Sequence, residues 1–300
     1  MLSNAIKALI INCVLFSISQ AQIKPVLELK VHEDVIDTLV LSNELVYTGS
    51  YDGYVKSIHI ISHKISNILK KDDWIRSLLI VNNELIVAAN DGSITGVCLK
   101  SNAQKWKLDA HDSWITGLAF TDGKLISISM DEHVKVWDIS TKKQLFDKKI
   151  YGSHKHQSIC IANNQAIIGS TSIFSKLSLK NYDLHKVYDF GLSNAALSCS
   201  YQGGLSPVGL SNGDVLIFGK DRIQKKIHKG AIKAIVQIGN DMYTASDDGK
   251  IYKSNIRNLE KRSLVYSSDQ KVSALNFDHT FLYAGFADGS IRIFYLKDMP

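Results

Sequence analysis

The chain has 300 residues, of which 45% are hydrophobic and 21% are charged, and its formal net charge is +6. A chain of this length and composition can bury a large core, either as one large domain or as two ordinary ones. The basic residues are spread along the chain, which indicates a solvated surface and argues against a nucleic-acid-binding face.

The first 21 residues have the composition of a secretory signal peptide. Lys7 is their only charged residue, residues 8–18 are largely apolar, and Ser19 and Ala21 place small side chains at the −3 and −1 positions of a cleavage site. This apolar run is too short to cross a bilayer as a helix. We therefore expect cleavage after Ala21; a membrane anchor and an ordinary disordered start are the alternatives.

The sequence also bears on the compartment of the mature protein. The chain contains no Asn-x-Ser/Thr sequon, whereas a protein of the eukaryotic secretory pathway often carries one. We therefore expect the bacterial periplasm. No later hydrophobic run is long enough to form a membrane-spanning helix, so we expect no stable membrane insertion.

A turn motif returns along the chain at a period near forty residues. Asp or Asn followed by Gly stands after a short apolar strand at Asp52-Gly53, Asp91-Gly92, Asn212-Gly213, Asp248-Gly249 and Asp288-Gly289. Asp131-Glu132 and Ser172 occupy the same frame in two further copies. The successive spacings are 39, 40, 41, 40, 36 and 40 residues. Seven equivalent units indicate a repeat architecture in a single domain, residues 22–300.

The third copy shows most clearly what each unit contains. Residues 114–120, 124–129, 133–139 and 144–147 are rich in β-branched and aromatic residues, and polar or Gly-containing turns separate them. This is the pattern of strands joined by hairpins. Four antiparallel strands in forty residues predict one propeller blade, which buries both faces only by stacking on its neighbours. The chain is therefore predicted to be an all-β, seven-bladed propeller.

The sequence further predicts how the ring closes. Residues 27–32 match residues 106–111 position by position, and Trp106 lies on the predicted outer strand of the second blade. The last blade reaches Pro300 just after its third strand. We expect residues 27–30 to supply its fourth strand, because this removes the exposed edge that an open array would leave.

The third copy resembles a repeat of the WD40 family. Its third strand ends in Trp137-Asp138, the dipeptide that names the family, and His111 stands 20 residues before Asp131. Only one Trp-Asp pair is present, and Val31 and Ala110 stand where the family has Gly. A quinoprotein-like propeller repeat, which also uses Asp-Gly turns, is the alternative.

The WD40 resemblance implies a hydrogen-bonded network of Trp, Ser, His and Asp inside a blade. In the third blade the implied members are His111, Ser129, Asp131 and Trp137. Blades one and six repeat the spacing without the Trp, which implies partial networks of His32, Ser50 and Asp52, and of His228, Ser246 and Asp248. Ile58 and Ser254 stand at the Trp position of these two blades.

No motif in the chain predicts catalysis, a cofactor or a metal site. Ser, His and Asp side by side also suggest a catalytic triad, but a triad needs an exposed nucleophile, whereas buried polar networks serve packing. His154 and His156 stand two residues apart without evident further ligands. An active site over the central channel stays an alternative that no residue supports.

Three cysteines remain after the predicted cleavage. Cys160 and Cys199 fall on the first strands of neighbouring blades, in the frames of Ala119 and Leu118. Adjacent strand positions point to opposite faces of a sheet. We therefore expect buried free thiols, and the odd number leaves at least one cysteine unpaired in any case.

The predicted surface carries one cluster that a partner could use. The anchor turns and the starts of the first strands share one rim, and on blades one to three they carry aromatic, Met, Arg and Asn residues: Tyr51, Trp74, Arg76, Asn90, Trp114 and Met130. Interaction hot spots have this composition. The alternative is that the two Trp rings only cap the blade core.

Together these observations favour an exported, monomeric, non-enzymatic scaffold that binds other proteins. A signal peptide followed by one propeller is similar to the architecture of the NapL-type accessory proteins of periplasmic nitrate reductase. That resemblance implies a periplasmic redox complex as the partner and no cofactor in the chain itself. A propeller enzyme acting on a small molecule and an outer-membrane assembly scaffold are the alternatives.

Overall fold

The computed structural model describes residues 23–150, 156–171, 173–189, 194–202, 204–218 and 223–299. The predicted signal peptide, residues 1–21, lies outside these residues, as does His154. Within them the chain forms 28 β-strands in seven four-stranded antiparallel sheets. The sheets are the blades of a seven-bladed β-propeller, as the repeat period predicts.

The strands follow in chain order, and blades one to six each use four consecutive strands. After β1 (Leu27–Lys30), blade one contains β2 (Ile36–Ser42), β3 (Leu45–Ser50), β4 (Tyr54–His59) and β5 (Ile65–Lys70), and blade two contains β6 (Ile75–Val81), β7 (Glu84–Ala89), β8 (Ser93–Cys98) and β9 (Gln104–Asp109). Blade three contains β10 (Ile115–Thr121), β11 (Lys124–Ser129), β12 (His133–Asp138) and β13 (Gln144–Lys149), and blade four contains β14 (His156–Ala162), β15 (Gln165–Ser170), β16 (Ile173–Ser178) and β17 (Leu184–Asp189).

The second half of the ring repeats this order. Blade five contains β18 (Ala196–Cys199), β19 (Ser206–Leu210), β20 (Asp214–Phe218) and β21 (Ile223–Lys226). Blade six contains β22 (Ile232–Ile238), β23 (Asp241–Ser246), β24 (Lys250–Asn255) and β25 (Asn258–Ser267). Blade seven contains β26 (Val272–Phe277), β27 (Phe281–Phe286) and β28 (Ser290–Tyr295), followed by a short 3-10 helix, Leu296–Asp298.

The seventh sheet combines the two ends of the described chain. Its strand order is β1-β28-β27-β26. β1 pairs antiparallel with β28, so that Leu27 lies opposite Ile293 and Lys30 lies opposite Ser290. The outer backbone edge of β28 is therefore paired within the ring and is not available to another chain.

The core lies between the blades. In β10, Leu118 packs with Ile86 and Ala88 of blade two, whereas Ala119 packs with Ala166 and Ile168 of blade four. Adjacent positions of one strand contact different neighbours because their side chains point to opposite faces. The two faces of a blade are thus both buried, which explains the short, densely apolar runs of the sequence.

A disulfide bond links two neighbouring blades covalently, between Cys160 of β14 and Cys199 of β18. The prediction of two free thiols is therefore wrong, although the two frames are those assigned from the sequence. Around the ring, each blade packs one face against the preceding blade and its other face against the following blade. Residues on opposite faces of two neighbouring sheets therefore meet at the interface between them. The Cα atoms lie 6.0 Å apart, a normal disulfide distance. Cys98 is a free thiol.

Left-handed glycines let five of the anchor turns approach the loop before the next blade. Gly92 and Gly289 have φ of 76° and 80°. Glu132 adopts φ 71° at the same place in blade three, so the conformation alone does not demand Gly. The nearby backbone requires Gly at position 92, because a Cβ there would collide with the carbonyl oxygen of His111, which lies in the loop leading into blade three.

Because of this close approach, we expect two glycines with the same backbone conformation to differ in how strongly their substitution destabilises the protein. Gly123 has φ 74°, but a Cβ there would meet nothing within 4 Å. We expect Gly123→Ala to lower the free energy of unfolding by about 1 kcal/mol, the cost of a left-handed Ala. Gly92→Ala should lower it by about 3 kcal/mol or more, since the backbone must also shift. Denaturant unfolding measures both; equal losses would contradict the role assigned to the His111 carbonyl.

Candidate functional site

The polar network implied for blade three is present, with one change of residue. His111 Nδ1 lies 2.8 Å from Asp131 Oδ2, and His111 Nε2 lies 2.8 Å from Ser127 Oγ. Trp137 Nε1 donates to the same hydroxyl at 3.0 Å. The hydroxyl of the network is therefore that of Ser127, and the prediction of Ser129 as a member is wrong.

The predicted serines hold the anchor turn. Ser129 Oγ accepts the N–H of Asp131 and donates to the carbonyl of Ser113, both at 3.1 Å. Ser50 and Ser246 likewise accept the N–H of the anchor two residues later. The imidazole instead reaches the residue two positions earlier on the same strand, whose side chain points to the same face.

Blades one and six contain partial networks with Thr in place of Ser127. His32 bonds Asp52 at 2.9 Å and Thr48 Oγ1 at 2.8 Å. His228 bonds Asp248 at 3.0 Å and Thr244 Oγ1 at 2.8 Å. As the spacing predicts, Ile58 and Ser254 occupy the strand position of Trp137 in these blades.

Chemistry sets the direction of the hydrogen bonds in blade three. An indole N–H can only donate, so Ser127 Oγ accepts this hydrogen bond and can donate its own O–H to His111 Nε2. The Nδ1–H then donates to the Asp131 carboxylate. Because Ser127 is fully buried (0% exposed), no substrate reaches this hydroxyl, and the triad interpretation of these residues does not hold.

The network positions the loop that carries an exposed Trp. Asp131 Oδ2 also accepts the N–H of Asp112 at 3.2 Å, and the N–H of Met130 donates to the carbonyl of Trp114 at 2.9 Å. The residues of the anchor turn and the start of blade three are thereby held together at one rim.

Three aromatic rings of the predicted surface cluster lie together on that rim. Tyr51 and Trp74 stack with ring centres 4.2 Å apart and planes 6° apart. The rings of Trp74 and Trp114 lie 6.1 Å apart. Trp74 is 37% exposed and Trp114 is 42% exposed, so these rings present apolar area to solvent and do more than cap the blade core.

Arg76 connects these rings to polar partners. Its guanidinium carbon lies 4.7, 5.0 and 5.6 Å from the ring centres of Tyr51, Trp74 and Trp114. Nε donates to Asn90 Oδ1 at 2.9 Å, and Nη1 donates to the Tyr51 hydroxyl and to Asp37. We refer to Tyr51, Trp74, Arg76, Asn90 and Trp114 as the aromatic-arginine cluster.

A cavity of about 120 Å³ opens beside this cluster at the centre of the ring. Its lining residues are Asp37, Arg76, Thr116, Met130, Leu197, Lys233 and Ser273. Apart from Met130, each is the second residue of a first strand. The pairing register slips at this residue in each of these six blades, and such a bulge re-aims its side chain. We call this opening the channel mouth.

The channel mouth brings together residues that the sequence analysis did not identify. Asp37 and Lys233 line it with Arg76. In the sequence, these residues share only their position: each is the second residue of the first strand of its blade. Most blades carry a polar side chain at this position. Burial raises the pKa of Asp37, and the charges of Arg76 and Lys233 oppose this effect.

Comparison with known proteins assigns the repeats to a family. The family sequence model described as WD40, "WD domain, G-beta repeat", matches residues 102–138 and 261–294. The first match contains the complete network of blade three. These two stretches of the chain are similar to WD40 repeats. This favours the WD40 interpretation over a quinoprotein-like repeat.

Two fungal proteins are similar in sequence to this chain. Shk1 kinase-binding protein 15 of Schizosaccharomyces pombe is 24% identical over 253 residues, which cover 78% of this chain and 71% of that protein. Nuclear distribution protein nudF of Emericella nidulans is 41% identical over 56 residues, or 18% of this chain and 12% of that protein. The crystal structure of the computationally designed Ika8 protein matches with a TM-score of 0.71 at 19% identity, covering 91% of this chain and 100% of that one; this likeness supports the fold alone.

Two further observations concern the part of the chain that the structure describes. Its His, Cys, Asp and Glu side chains form no group of three or more that could hold a metal ion. It also contains no helix that is long and apolar enough to cross a bilayer.

The His-containing networks lower the pKa of the anchor carboxyls. Burial alone would raise the pKa of Asp248, but the hydrogen bond and charge of His228 and the N–H groups of Lys229 and Lys250 outweigh it and bring the pKa to about 2. The pKa of Asp131 is lowered in the same way, by His111 above all. Burial lowers the pKa of His32, and Asp52 only partly offsets it.

This shift predicts a pH dependence of stability. The pKa of Asp248 falls from 3.8 to about 2 on folding, so the ionised carboxylate stabilises the native state above pH 4, and this contribution is lost as the pH falls from about 4 to about 2. We expect Asp248→Asn to lower the free energy of unfolding by about 2 kcal/mol at pH 7, with the difference from wild type shrinking towards pH 2. Urea unfolding across this range tests it; a difference that does not change with pH would contradict the assignment.

Proposed function

We propose that this WD40 propeller is a non-enzymatic scaffold that binds another protein at the aromatic-arginine cluster and the adjoining channel mouth. The observation that carries the proposal is that Trp74 and Trp114 stay more than one-third exposed while packed around Arg76, which three polar side chains hold in place. WD40 propellers generally bind other proteins, and the fission-yeast relative carries the name of a kinase-binding protein.

The cluster has the properties of a preorganised anchor. Arg76 is held by Asn90, Tyr51 and Asp37 and lies against three rings, so it has little conformational freedom to lose on binding. Preorganised side chains improve affinity because less entropy is lost when the complex forms. The rings supply apolar area, and Trp, Tyr and Arg are the residue types that dominate binding energy at interfaces.

We expect the double substitution Trp74→Ala and Trp114→Ala to weaken partner binding about 30-fold or more, because each removes an exposed ring from the centre of the proposed contact. The rings are substantially exposed, so the variant should still fold. Affinity capture from extract followed by a binding titration with the recovered partner measures the effect.

Ile61 provides a matched control. It is 71% exposed and lies in the turn after β4, at the end of blade one opposite the Tyr51 turn. Ile61→Ala should leave partner recovery unchanged. If a folded Trp74→Ala/Trp114→Ala protein recovers the same partner with wild-type affinity, the cluster is not the binding site.

We also propose that the protein is exported to the bacterial periplasm after loss of residues 1–21. The composition of that segment supports export. The disulfide bond between Cys160 and Cys199 supports it independently, because disulfides persist in oxidising compartments and are rare in the cytosol.

Export makes a prediction about both mass and thiols. The protein purified from its native compartment should begin at Gln22 and, when denatured without reductant, should expose a single reactive thiol, that of Cys98. Intact-mass spectrometry and thiol labelling measure these quantities. A full-length chain in which all 4 cysteines react would rule out the proposal.

The narrower expectation of a periplasmic redox complex, such as nitrate reductase, stays a prediction. It rests on the architecture of a signal peptide followed by one propeller, and the family match and the names of the two fungal relatives do not bear on it. The proposed binding surface does not depend on this choice of partner.

A further inference from the structure

Three blades place a charged side chain at the channel mouth. Asp37, Arg76 and Lys233 are each the second residue of a first strand, in blades one, two and six, and all three line the cavity of about 120 Å³. Asp37 and Arg76 form an ion pair at 3.3 Å, and both side chains are mostly buried. Two cations and one carboxylate leave the described lining with a formal charge of +1. The excess charge is that of Lys233.

In blades one and two the charged residue of the mouth is bonded within its own blade. The residue just before the anchor supplies the partner in both cases. The Tyr51 hydroxyl donates to Asp37 at 3.2 Å, and Asn90 Oδ1 accepts a hydrogen bond from Arg76 Nε at 2.9 Å. These two charged side chains are therefore held in place before any partner arrives.

Lys233 of blade six has no such partner. The residue before the anchor of this blade is Asp247, but its carboxylate lies 4.0 Å from the ammonium of Lys271. Among the residues that the structure describes, the ammonium of the half-buried Lys233 makes no hydrogen bond and no ion pair. An ammonium that has lost part of its hydration without gaining a counter-ion favours an anion supplied from outside.

Arg76 offers a further donor to an anion in the channel mouth. Its Nε and Nη1 are bonded to Asn90, Asp37 and Tyr51. Its Nη2 makes no hydrogen bond with the described part of the chain, and it is not one of the buried atoms that lack a partner, so it is accessible. A guanidinium donates to carboxylate oxygens in a fixed, planar geometry. The mouth thus presents donors from blades two and six.

We propose that the partner inserts one carboxylate, from an Asp or Glu side chain, into the channel mouth, where it pairs with Lys233. This inference rests on the proposed binding of a protein at the aromatic-arginine cluster and specifies the chemistry of that contact. Arg76 belongs both to the cluster and to the mouth. A segment that lies over the exposed rings of Trp74 and Trp114 can therefore direct one side chain into the cavity.

The charge of the mouth favours a carboxylate over a phosphate. A carboxylate is a monoanion and neutralises the excess charge of Lys233. A phosphate group carries a charge of about −1.5 to −2 at neutral pH and would leave negative charge uncompensated beside Asp37, which lines the same cavity.

The test uses peptides selected from a random displayed library on the wild-type protein and then synthesised for binding titrations. The selected peptides should share an Asp or Glu. Replacing that residue by Asn or Gln should weaken binding to wild type about tenfold, a size that close charge pairs at interfaces reach. Lys233→Gln should weaken binding of the acidic peptide to the same extent, and it should bind the acidic and the amide peptides equally.

Lys229→Gln is the matched control. Lys229 is exposed in the loop that leads into blade six, so this variant loses the same formal charge from the same blade but outside the channel mouth. It should bind the acidic peptide as wild type does. Because Lys233 makes no bond within the described part of the protein, Lys233→Gln should melt at the wild-type temperature or slightly above it, which shows that the variant is folded.

The inference is overturned if the selected peptides share no acidic residue, or if Lys233→Gln and Lys229→Gln weaken binding equally. The Trp74→Ala/Trp114→Ala variant distinguishes this failure from failure of the proposed function. Peptides that need the two rings but not Lys233 overturn the carboxylate contact alone. Peptides that bind the double variant as they bind wild type, or a selection that yields no peptide, count against the proposed function and against this inference with it.

Discussion

The carboxylate of the anchor turn is the interaction on which the rest of the molecule depends. Asp131 accepts the N–H of Asp112, Asp52 that of Glu33, and Asp248 that of Lys229. Each of these donors lies in the loop that leads into the blade. The His partners hold the carboxylates ionised and oriented, and so the loop, the first strand and its bulge start from a defined point. These hydrogen bonds therefore fix the geometry of the channel mouth and of the surrounding rim.

The same arrangement separates structure from recognition within one turn. In blades one, two and three the residue just before the anchor donates its N–H to the residue that opens the blade: Tyr51 to Val35, Asn90 to Trp74 and Met130 to Trp114. The backbone bond repeats whatever the side chains are. Side chains at these positions can therefore differ between blades without disturbing the ring, and the aromatic-arginine cluster uses this freedom on three adjacent blades.

The fold and much of the site could be predicted because they follow from spacing. The forty-residue period predicts the blades, and the interval of 20 residues between His and Asp predicts the networks. The spacing cannot distinguish Ser127 from Ser129, because both side chains lie on the same face of the strand and only the reach of the imidazole separates them. The Cys160–Cys199 bond does not follow from the faces of single strands, because it depends on how two neighbouring blades stack. Asp37 and Lys233 stand 196 positions apart, and only the closed ring brings them to one mouth.

The pairing of β1 with β28 has a consequence for the order of folding. Leu27 finds its partner, Ile293, only after nearly all of the intervening chain has been made. Blades one to six can assemble from neighbouring segments, whereas the seventh must join the two most distant strands. Contacts of such long range form late, since closing the loop between them is entropically unfavourable until the rest is in place. The first strand of the domain is therefore the last to pair, and its pairing with β28 closes the ring.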